Sequence, residues 1–108
     1  MKKTPIVAGN WKMNKLPSEG SSFISEISKL VKDIKAVEVI YAPPFTGLFD
    51  LKVKPPFHIA AQNCHWEDCG ALTGEISLTM IKDCGAEYVI LGHSERRHIF
   101  NETDEWVN

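Results

Sequence analysis

The chain has 108 residues, of which 44% are hydrophobic, an ordinary share for a chain that folds into one small domain. Its formal net charge is -2, so no overall electrostatic field attracts nucleic acid or an anionic membrane surface. No apolar stretch reaches the roughly 20 residues of a membrane-spanning helix, and the 3 cysteines form no regular disulfide framework, so we expect a cytoplasmic protein without nucleic-acid or membrane partners.

Strand and helix patterns alternate along the first half of the chain. Residues 6–9 form a short apolar run, and Ser18 is predicted to cap a helix whose apolar residues recur at helical spacing as far as Ile34. The β-branched run 37–41 predicts a second strand, which ends at prolines that cannot donate hydrogen bonds to a sheet. A short helix over 45–51 is expected to follow.

The same alternation continues in the second half. Residues 57–61 predict a third strand, and residues 77–84 predict a helix that Gly85 ends in a left-handed conformation. Between them, the polar segment 64–74 is longer than the roughly two to six residues of a usual strand-to-helix loop, which favours a functional or interface role. A fourth apolar strand is expected over 88–91.

The last residues have the features of a helix start. Thr103 is a suitable cap, and Asp104 and Glu105 supply the acidic side chains that favour a first turn. Because a single helical turn is costly to nucleate, we expect the chain to be part of a longer domain that continues this helix. The repeated order of short apolar strand and helix predicts an α/β fold with a parallel sheet covered by helices.

Polar residues follow the first and fourth strands directly. Asn10 and Lys12 come after the first strand, and His93 comes after the fourth. The carboxyl ends of parallel strands meet at one edge of a sheet, so these side chains are expected to converge. In extended chain, the spacing of Asn10 and Lys12 places both side chains on one side. A lysine there can bind an anionic group and stabilise developing negative charge, although a solvated surface lysine is commoner.

His93 precedes a short helix predicted over residues 94–99. The partial positive charge of the first helical N–H groups disfavours an imidazolium, so we expect a neutral ring that donates a hydrogen bond to a substrate oxygen. A hydrogen-bonded structural histidine is the commoner alternative. Glu95 either pairs with Lys12 in the site or serves only as a first-turn acid that the helix dipole favours.

Residue spacing disfavours two other kinds of site. His58, Cys64, His65 and Cys69 are of zinc-ligand types, but they form no Cys-x-x-Cys pair and no second pair at finger spacing, so no metal is expected. Ser94 is not expected to be a hydrolase nucleophile, because neighbouring side chains point apart and no Gly-x-Ser-x-Gly turn surrounds it.

Four motifs together resemble one enzyme family. The segments 9–14 (GNWKMN) and 92–97 (GHSERR) resemble the amino-terminal signatures of the triosephosphate isomerase family, and residues 61–63 and 73–75 match its third-loop region. The resemblance implies a (β/α)₈ TIM barrel of about 250 residues. Residues 1–108 would then be the amino-terminal part of a single domain, an incomplete barrel of four parallel strands truncated inside the fourth main helix.

The resemblance also implies an activity. This family interconverts D-glyceraldehyde 3-phosphate and dihydroxyacetone phosphate, a step of glycolysis and gluconeogenesis, without a metal or an organic cofactor. By resemblance His93 is the electrophile, and the family is itself the standard example of a neutral histidine in that role. Asn10 and Lys12 would bind the substrate, and Lys12 and Glu95 would take part in catalysis.

Further implications of the resemblance concern assembly. The family's homodimer would place Thr73, Glu75 and Arg96 at the subunit interface, with the loop 64–74 reaching toward the partner's active site. Arg96 and Arg97 suit phosphate geometry when they are considered alone, whereas the resemblance assigns them to structural and interface salt bridges.

The resemblance places the catalytic glutamate and the phosphate-binding loops beyond residue 108. We therefore expect the chain alone to be inactive, and triose phosphates to be substrates of the natural protein. Two alternatives are open: a noncatalytic half barrel that associates through unpaired strand edges, and another phosphate-handling barrel isomerase or lyase.

Overall fold

The computed structural model of the chain describes residues 3–108. Within them, one sheet has the strand order β1-β2-β3-β4, with bounds Ile6–Asn10, Glu38–Ala42, Phe57–Ala61 and Tyr88–Val89. The helices are α1 (Pro17–Leu30), α2 (Phe45–Leu48), α3 (Leu78–Asp83), α4 (Ser94–His98) and α5 (Asp104–Val107). Every neighbouring pair of strands is parallel. The predicted α/β arrangement with a parallel sheet is confirmed.

The sheet carries apolar residues on both faces, as expected for a parallel sheet covered by other layers. Alternate residues of a strand point to opposite faces. Tyr41 and Ile59 therefore share the helix-facing side, where they join residues of α1, α2 and α3 in the main core. The opposite face holds a smaller cluster that includes Ile40 and Ala60.

Helix α1 begins earlier than predicted. Its cap is Leu16 rather than Ser18. Pro17 occupies the first helical position, where the fixed φ of proline already suits the helix. The Glu19 carboxylate accepts a hydrogen bond from the Leu16 N–H at 2.9 Å, which satisfies a backbone donor outside the helix. These two contributions replace the serine cap that we expected from the sequence.

Several elements are shorter than predicted. Helix α1 stops at Leu30 rather than Ile34, because the chain then forms a tight turn in which the Ile34 N–H donates to the Val31 carbonyl oxygen. Strand β4 ends at Val89 rather than residue 91, since its pairing partner β3 ends at Ala61, opposite Val89. Helices α2 and α4 also end before their predicted bounds.

Two predicted helix boundaries are confirmed. Gly85 follows α3 with a φ of 98°, a left-handed conformation that glycine adopts without steric cost. Thr103 caps α5, because its Oγ1 accepts a hydrogen bond from the Trp106 N–H at 3.2 Å.

Trp11 connects the end of β1 to α1. Its indole ring lies edge-on to Phe23 of α1, with ring centroids 5.6 Å apart, and edge-on to Tyr41 of β2 at 6.0 Å. Gly20 faces this ring so closely that an added Cβ would lie 2.9 Å from the Trp11 Cζ3 atom. The absence of a side chain at Gly20 therefore lets the helix approach the segment that follows β1.

Replacing Gly20 by alanine is expected to lower the free energy of unfolding by about 1 kcal/mol. Overpacking costs roughly 1 to 3 kcal/mol, and the better helix propensity of alanine offsets up to about 1 kcal/mol of it. Gly47→Ala in α2 is the matched control, since its added Cβ would lie at an ordinary 3.7 Å from Pro17 Cα. Denaturant unfolding measures both variants, and equal changes would contradict the close packing on Trp11.

Candidate active site

A cleft of about 260 Å³ opens at the carboxyl ends of the strands. It is lined by Asn10, Lys12, Met13, Phe45, Gln62, Asn63, His93, Glu95, Arg96 and Phe100. The polar residues that follow the first and fourth strands therefore lie around one cleft. Parallel pairing produces this arrangement, because it brings the ends of the strands and the start of α4 to the same edge of the sheet.

Lys12 and Glu95 form an ion pair across this cleft. The Lys12 Nζ donates to Glu95 Oε1 at 2.8 Å, although the two residues are 83 positions apart in the chain. The hydrogen bond from the ammonium group holds the pKa of the Glu95 carboxyl below its usual value, and His93 adds a smaller effect of the same sign. Both side chains are about half exposed, at 50% and 42%, so the pair contributes position more than stability.

The backbone at Lys12 has an unusual conformation. Its φ is 55°, in the left-handed region that a non-glycine residue enters only at an energetic cost. The Asn10 Oδ1 accepts a hydrogen bond from the Lys12 N–H at 2.9 Å, which supports this turn. Asn10 and Lys12 both line the cleft, as predicted, but strand alternation is not the reason, because β1 ends at Asn10. The left-handed turn brings both residues to the cleft instead.

Gln62 was missed by the sequence analysis as a site residue. Its Nε2 donates to the carbonyl oxygen of Lys12 at 2.9 Å and to that of Ala42 at 2.8 Å. One amide thus ties the left-handed turn after β1 to the end of β2. A signal was present in the sequence, since Gln62 follows β3 directly, as Lys12 closely follows β1.

His93 is the amino-terminal cap of α4. Its Nδ1 accepts a hydrogen bond from the Glu95 N–H at 3.2 Å, and its side chain is 27% exposed. Because Nδ1 uses its lone pair in this bond, the proton of a neutral ring lies on Nε2. The Glu95 carboxylate is 3.6 Å from Nδ1, beyond hydrogen-bond distance. The cap therefore selects the tautomer whose Nε2 can donate to a ligand.

Arg96 and Arg97 make ion pairs within the chain. The Nε of Arg96 lies 3.1 Å from Glu102 Oε2, and Arg97 pairs with Asp104. The Arg97 Nε–H also donates to the Gly92 carbonyl oxygen at 2.8 Å. These contacts hold α4 against the segments on either side of it, so both arginines have the structural salt bridges that the resemblance implied. A contribution of Arg96 to a subunit interface stays a prediction.

The loop 64–74 contributes no lining residue to the cleft. Its ends come together where the His65 N–H donates to the Ile76 carbonyl oxygen at 2.8 Å, and the Trp66 ring packs 5.9 Å from Trp106. Thr73 is exposed, as is Glu75, and neither lines the cleft. The structure therefore does not bring these two residues together with His93, and their interface role stays a prediction.

Two geometric findings bear on other kinds of site. Within residues 3–108, no three histidine, cysteine, aspartate or glutamate side chains come close enough together to hold a metal ion. In the same part of the chain, no helix is both long enough and apolar enough to cross a membrane.

Comparison with known proteins identifies the family of the chain. The sequence model described as "Triosephosphate isomerase" matches residues 5–108. The chain belongs to the triosephosphate isomerase family. The triosephosphate isomerase of Alkaliphilus oremlandii is 52% identical to it over 109 residues, which cover 98% of this chain and 44% of that protein. That of Caldanaerobacter subterraneus subsp. tengcongensis is 52% identical with the same coverage, and that of Trichlorobacter lovleyi is 47% identical.

The chain spans about 44% of the length of the Alkaliphilus oremlandii and Caldanaerobacter subterraneus triosephosphate isomerases. Membership of the triosephosphate isomerase family argues against the alternative considered from the sequence, that the chain belongs to another family of phosphate-handling barrel isomerases or lyases. The cleft also lies where TIM barrels carry their active sites, at the carboxyl ends of the strands.

Replacing Lys12 by methionine is expected to raise the pKa of the Glu95 carboxyl, because the ammonium group that stabilises the carboxylate is lost. Carbon NMR of the Glu95 carboxyl measures this change. Because folding lowers this pKa, the pair stabilises the fold above the unfolded-state pKa of Glu95, and that stabilisation is lost as the pH falls.

Lys15→Met is the matched control for the titration. The Lys15 Nζ lies 4.4 Å from the centroid of the Phe23 ring, so its removal should leave the Glu95 titration unchanged. An identical Glu95 titration in the wild-type protein and in Lys12→Met would show that the ion pair does not form in solution.

Proposed function

We propose that the natural protein containing this chain interconverts D-glyceraldehyde 3-phosphate and dihydroxyacetone phosphate. The observation that carries the proposal is the convergence of His93, Lys12 and Asn10 on one cleft of a chain in the triosephosphate isomerase family. The activity is proposed for the whole protein, because the chain spans less than half of its relatives. The proposed reaction requires no metal and no organic cofactor.

The cleft offers two groups that stabilise negative charge on a substrate oxygen. In the reaction, a general base removes a proton from the carbon next to the carbonyl, the C–H electron pair forms the C=C bond of the enediolate, and negative charge develops on the former carbonyl oxygen. The Nε2–H of a neutral His93 can donate to that oxygen, as this family is known to use it. The Lys12 ammonium adds a full positive charge beside the same space, where it also attracts a phosphate ester.

Asn10 and Glu95 are proposed to act mainly through the placement of Lys12. The Asn10 Oδ1 is bonded to the Lys12 N–H, so the Nδ2 of the same amide remains a donor for a substrate oxygen. Glu95 holds the ammonium group at 2.8 Å. Its lowered pKa keeps it ionised at neutral pH, which makes it a positioning anion rather than a proton donor.

A general base for proton abstraction has to come from another part of the natural protein. Among residues 3–108, Glu95 is the one carboxylate that lines the cleft, and it is paired with Lys12. The resemblance places the base and the phosphate loops beyond residue 108. We propose that the 108-residue chain alone is inactive, since a positioned base commonly contributes roughly 10² to 10⁴ in rate.

The remaining parts of the proposal come from the resemblance. The natural protein is proposed to be a homodimer in which Thr73, Glu75 and Arg96 contact the partner subunit. Exposure of Thr73 and Glu75 supports this part of the proposal, because both are accessible to a second chain. The cytoplasmic location stays a prediction of the sequence.

The test of the proposed function is a triose phosphate isomerisation assay on the protein at the length at which its cell makes it. His93→Gln is expected to lower kcat/KM by roughly 10² to 10³, the usual effect of removing a donor to a developing oxyanion. His98→Gln on the same helix is the control, because His98 is exposed and does not line the cleft. Absence of isomerase activity in the natural-length protein would contradict the proposal.

Replacing Gln62 by leucine should lower kcat/KM by roughly tenfold in the same assay. Each lost hydrogen bond is worth about 1 kcal/mol, and this variant releases the Lys12 carbonyl oxygen from the end of β2. The assay is run well below the thermal midpoint of the variant, so that unfolding does not account for the loss. Unchanged kinetics would show that Gln62 does not position Lys12.

A noncatalytic association role for the 108-residue chain alone is the second candidate. Strand β1 is an edge of the described sheet, and its residues Ile6 and Val7 are 57% and 60% exposed. An apolar cleft of about 570 Å³ lies beside Val7 of this strand and is lined mainly by residues between 31 and 39, together with Ile27, Pro56 and Phe57. Unpaired strand edges are templates for association. Sedimentation of a discrete dimer that unfolds cooperatively would support this role, and an aggregated chain would contradict it.

A further inference from the structure

A second group of charged residues lies at the opposite end of the sheet from the cleft. His58 is the second residue of β3 and is only 9% exposed. Its Nε2 lies 2.5 Å from Oε2 of Glu38, the first residue of β2. Its Nδ1 lies 3.0 Å from Oε1 of Glu87, which directly precedes β4. The ring therefore connects three neighbouring parts of the sheet.

The protons available at these atoms decide the charge of the ring. An ionised carboxylate can only accept hydrogen bonds, and a neutral imidazole carries a single N–H. Both ring nitrogens of His58 lie within hydrogen-bond distance of a carboxylate oxygen. Two ionised glutamates at these distances therefore require two N–H donors, and only the imidazolium supplies both.

The surroundings of His58 favour the positively charged imidazolium form of its ring. The hydrogen bonds to Glu87 and Glu38 raise the pKa of His58, and burial opposes them with a smaller effect. The ring of Tyr88 packs edge-on against the imidazole, with centroids 5.7 Å apart. Strand β1 contributes Ile6, which is opposite Glu38 in the register. In the described part of the chain, the two glutamates are the charged groups that contact the ring.

We propose that Glu38, His58 and Glu87 form a proton-dependent clamp across β2, β3 and the entry to β4, and that the clamp opens when His58 loses its proton. A neutral ring can donate to one glutamate only, so the other carboxylate then faces a nitrogen lone pair. The two glutamate charges also lose the cation between them.

The pH dependence of the stabilisation by the clamp follows from the direction in which folding moves the pKa of His58. Because folding raises the pKa of His58, the stabilisation is fully present below the unfolded-state pKa. It is lost as the pH rises through the folded-state pKa. The clamp lies at the amino-terminal edge of the sheet, the end that TIM barrels use for stability rather than for catalysis. The inference is therefore independent of the proposed isomerase activity.

The first experiment follows His58 directly by NMR titration of the protein at its natural length. The titration midpoint of the His58 ring is expected to be higher in the wild-type protein than in the double variant Glu38→Gln/Glu87→Gln, which keeps the shape of both side chains. Glu26→Gln is the control, because Glu26 lies exposed on α1 and its loss should leave the midpoint unchanged. Equal midpoints in the wild-type protein and the double variant would overturn the proposal.

The second experiment measures thermal stability between pH 6 and pH 9. As the pH rises over this range, the thermal midpoint of the wild-type protein is expected to fall by roughly 2 to 8 °C more than that of His58→Gln. The exposed His98 provides the matched control, since His98→Gln should keep the wild-type pH profile. A His58→Gln profile parallel to that of the wild-type protein would overturn the clamp, whatever the absolute stability of the variant.

Discussion

Parallel pairing of the strands is the constraint on which the other features depend. Because all four strands run in one direction, their carboxyl ends reach a single edge, and the residues that follow them share one space. Asn10, Gln62 and His93 come from distant parts of the chain and still line one cleft. An antiparallel order would have sent alternate strand ends to opposite edges, and no such cleft would form.

The placement of Lys12 shows how the fold supports an unfavourable local geometry. Its left-handed backbone conformation is energetically costly for a lysine. Two hydrogen bonds hold it: the Lys12 N–H donates to the Asn10 Oδ1, and the Gln62 amide donates to the Lys12 carbonyl oxygen. Trp11 packs against α1 on one side of this turn. The strained residue is therefore held by its surroundings, which directs its ammonium group to Glu95.

The two ends of the sheet have different physical characters. The carboxyl edge carries a half-exposed ion pair and the His93 ring, where polar groups remain accessible to a ligand. The opposite edge carries the His58 ring, whose two nitrogens are both occupied by glutamates. Strand β3 contributes to both ends, since it begins beside His58 and leads directly into Gln62. The buried His58 ring and the polar groups around the cleft thus lie at opposite ends of the same strand.

The sequence by itself determined the alternation of strand and helix, because apolar periodicity and turn residues act locally, and it identified the motifs around Lys12 and His93. Tertiary structure decided how those motifs meet. The left-handed turn at Lys12, the hydrogen bonds of Gln62 and the paired ring of His58 each depend on contacts between residues far apart in the chain. No local pattern encodes such contacts, since they exist only after parallel pairing has set the register of the strands.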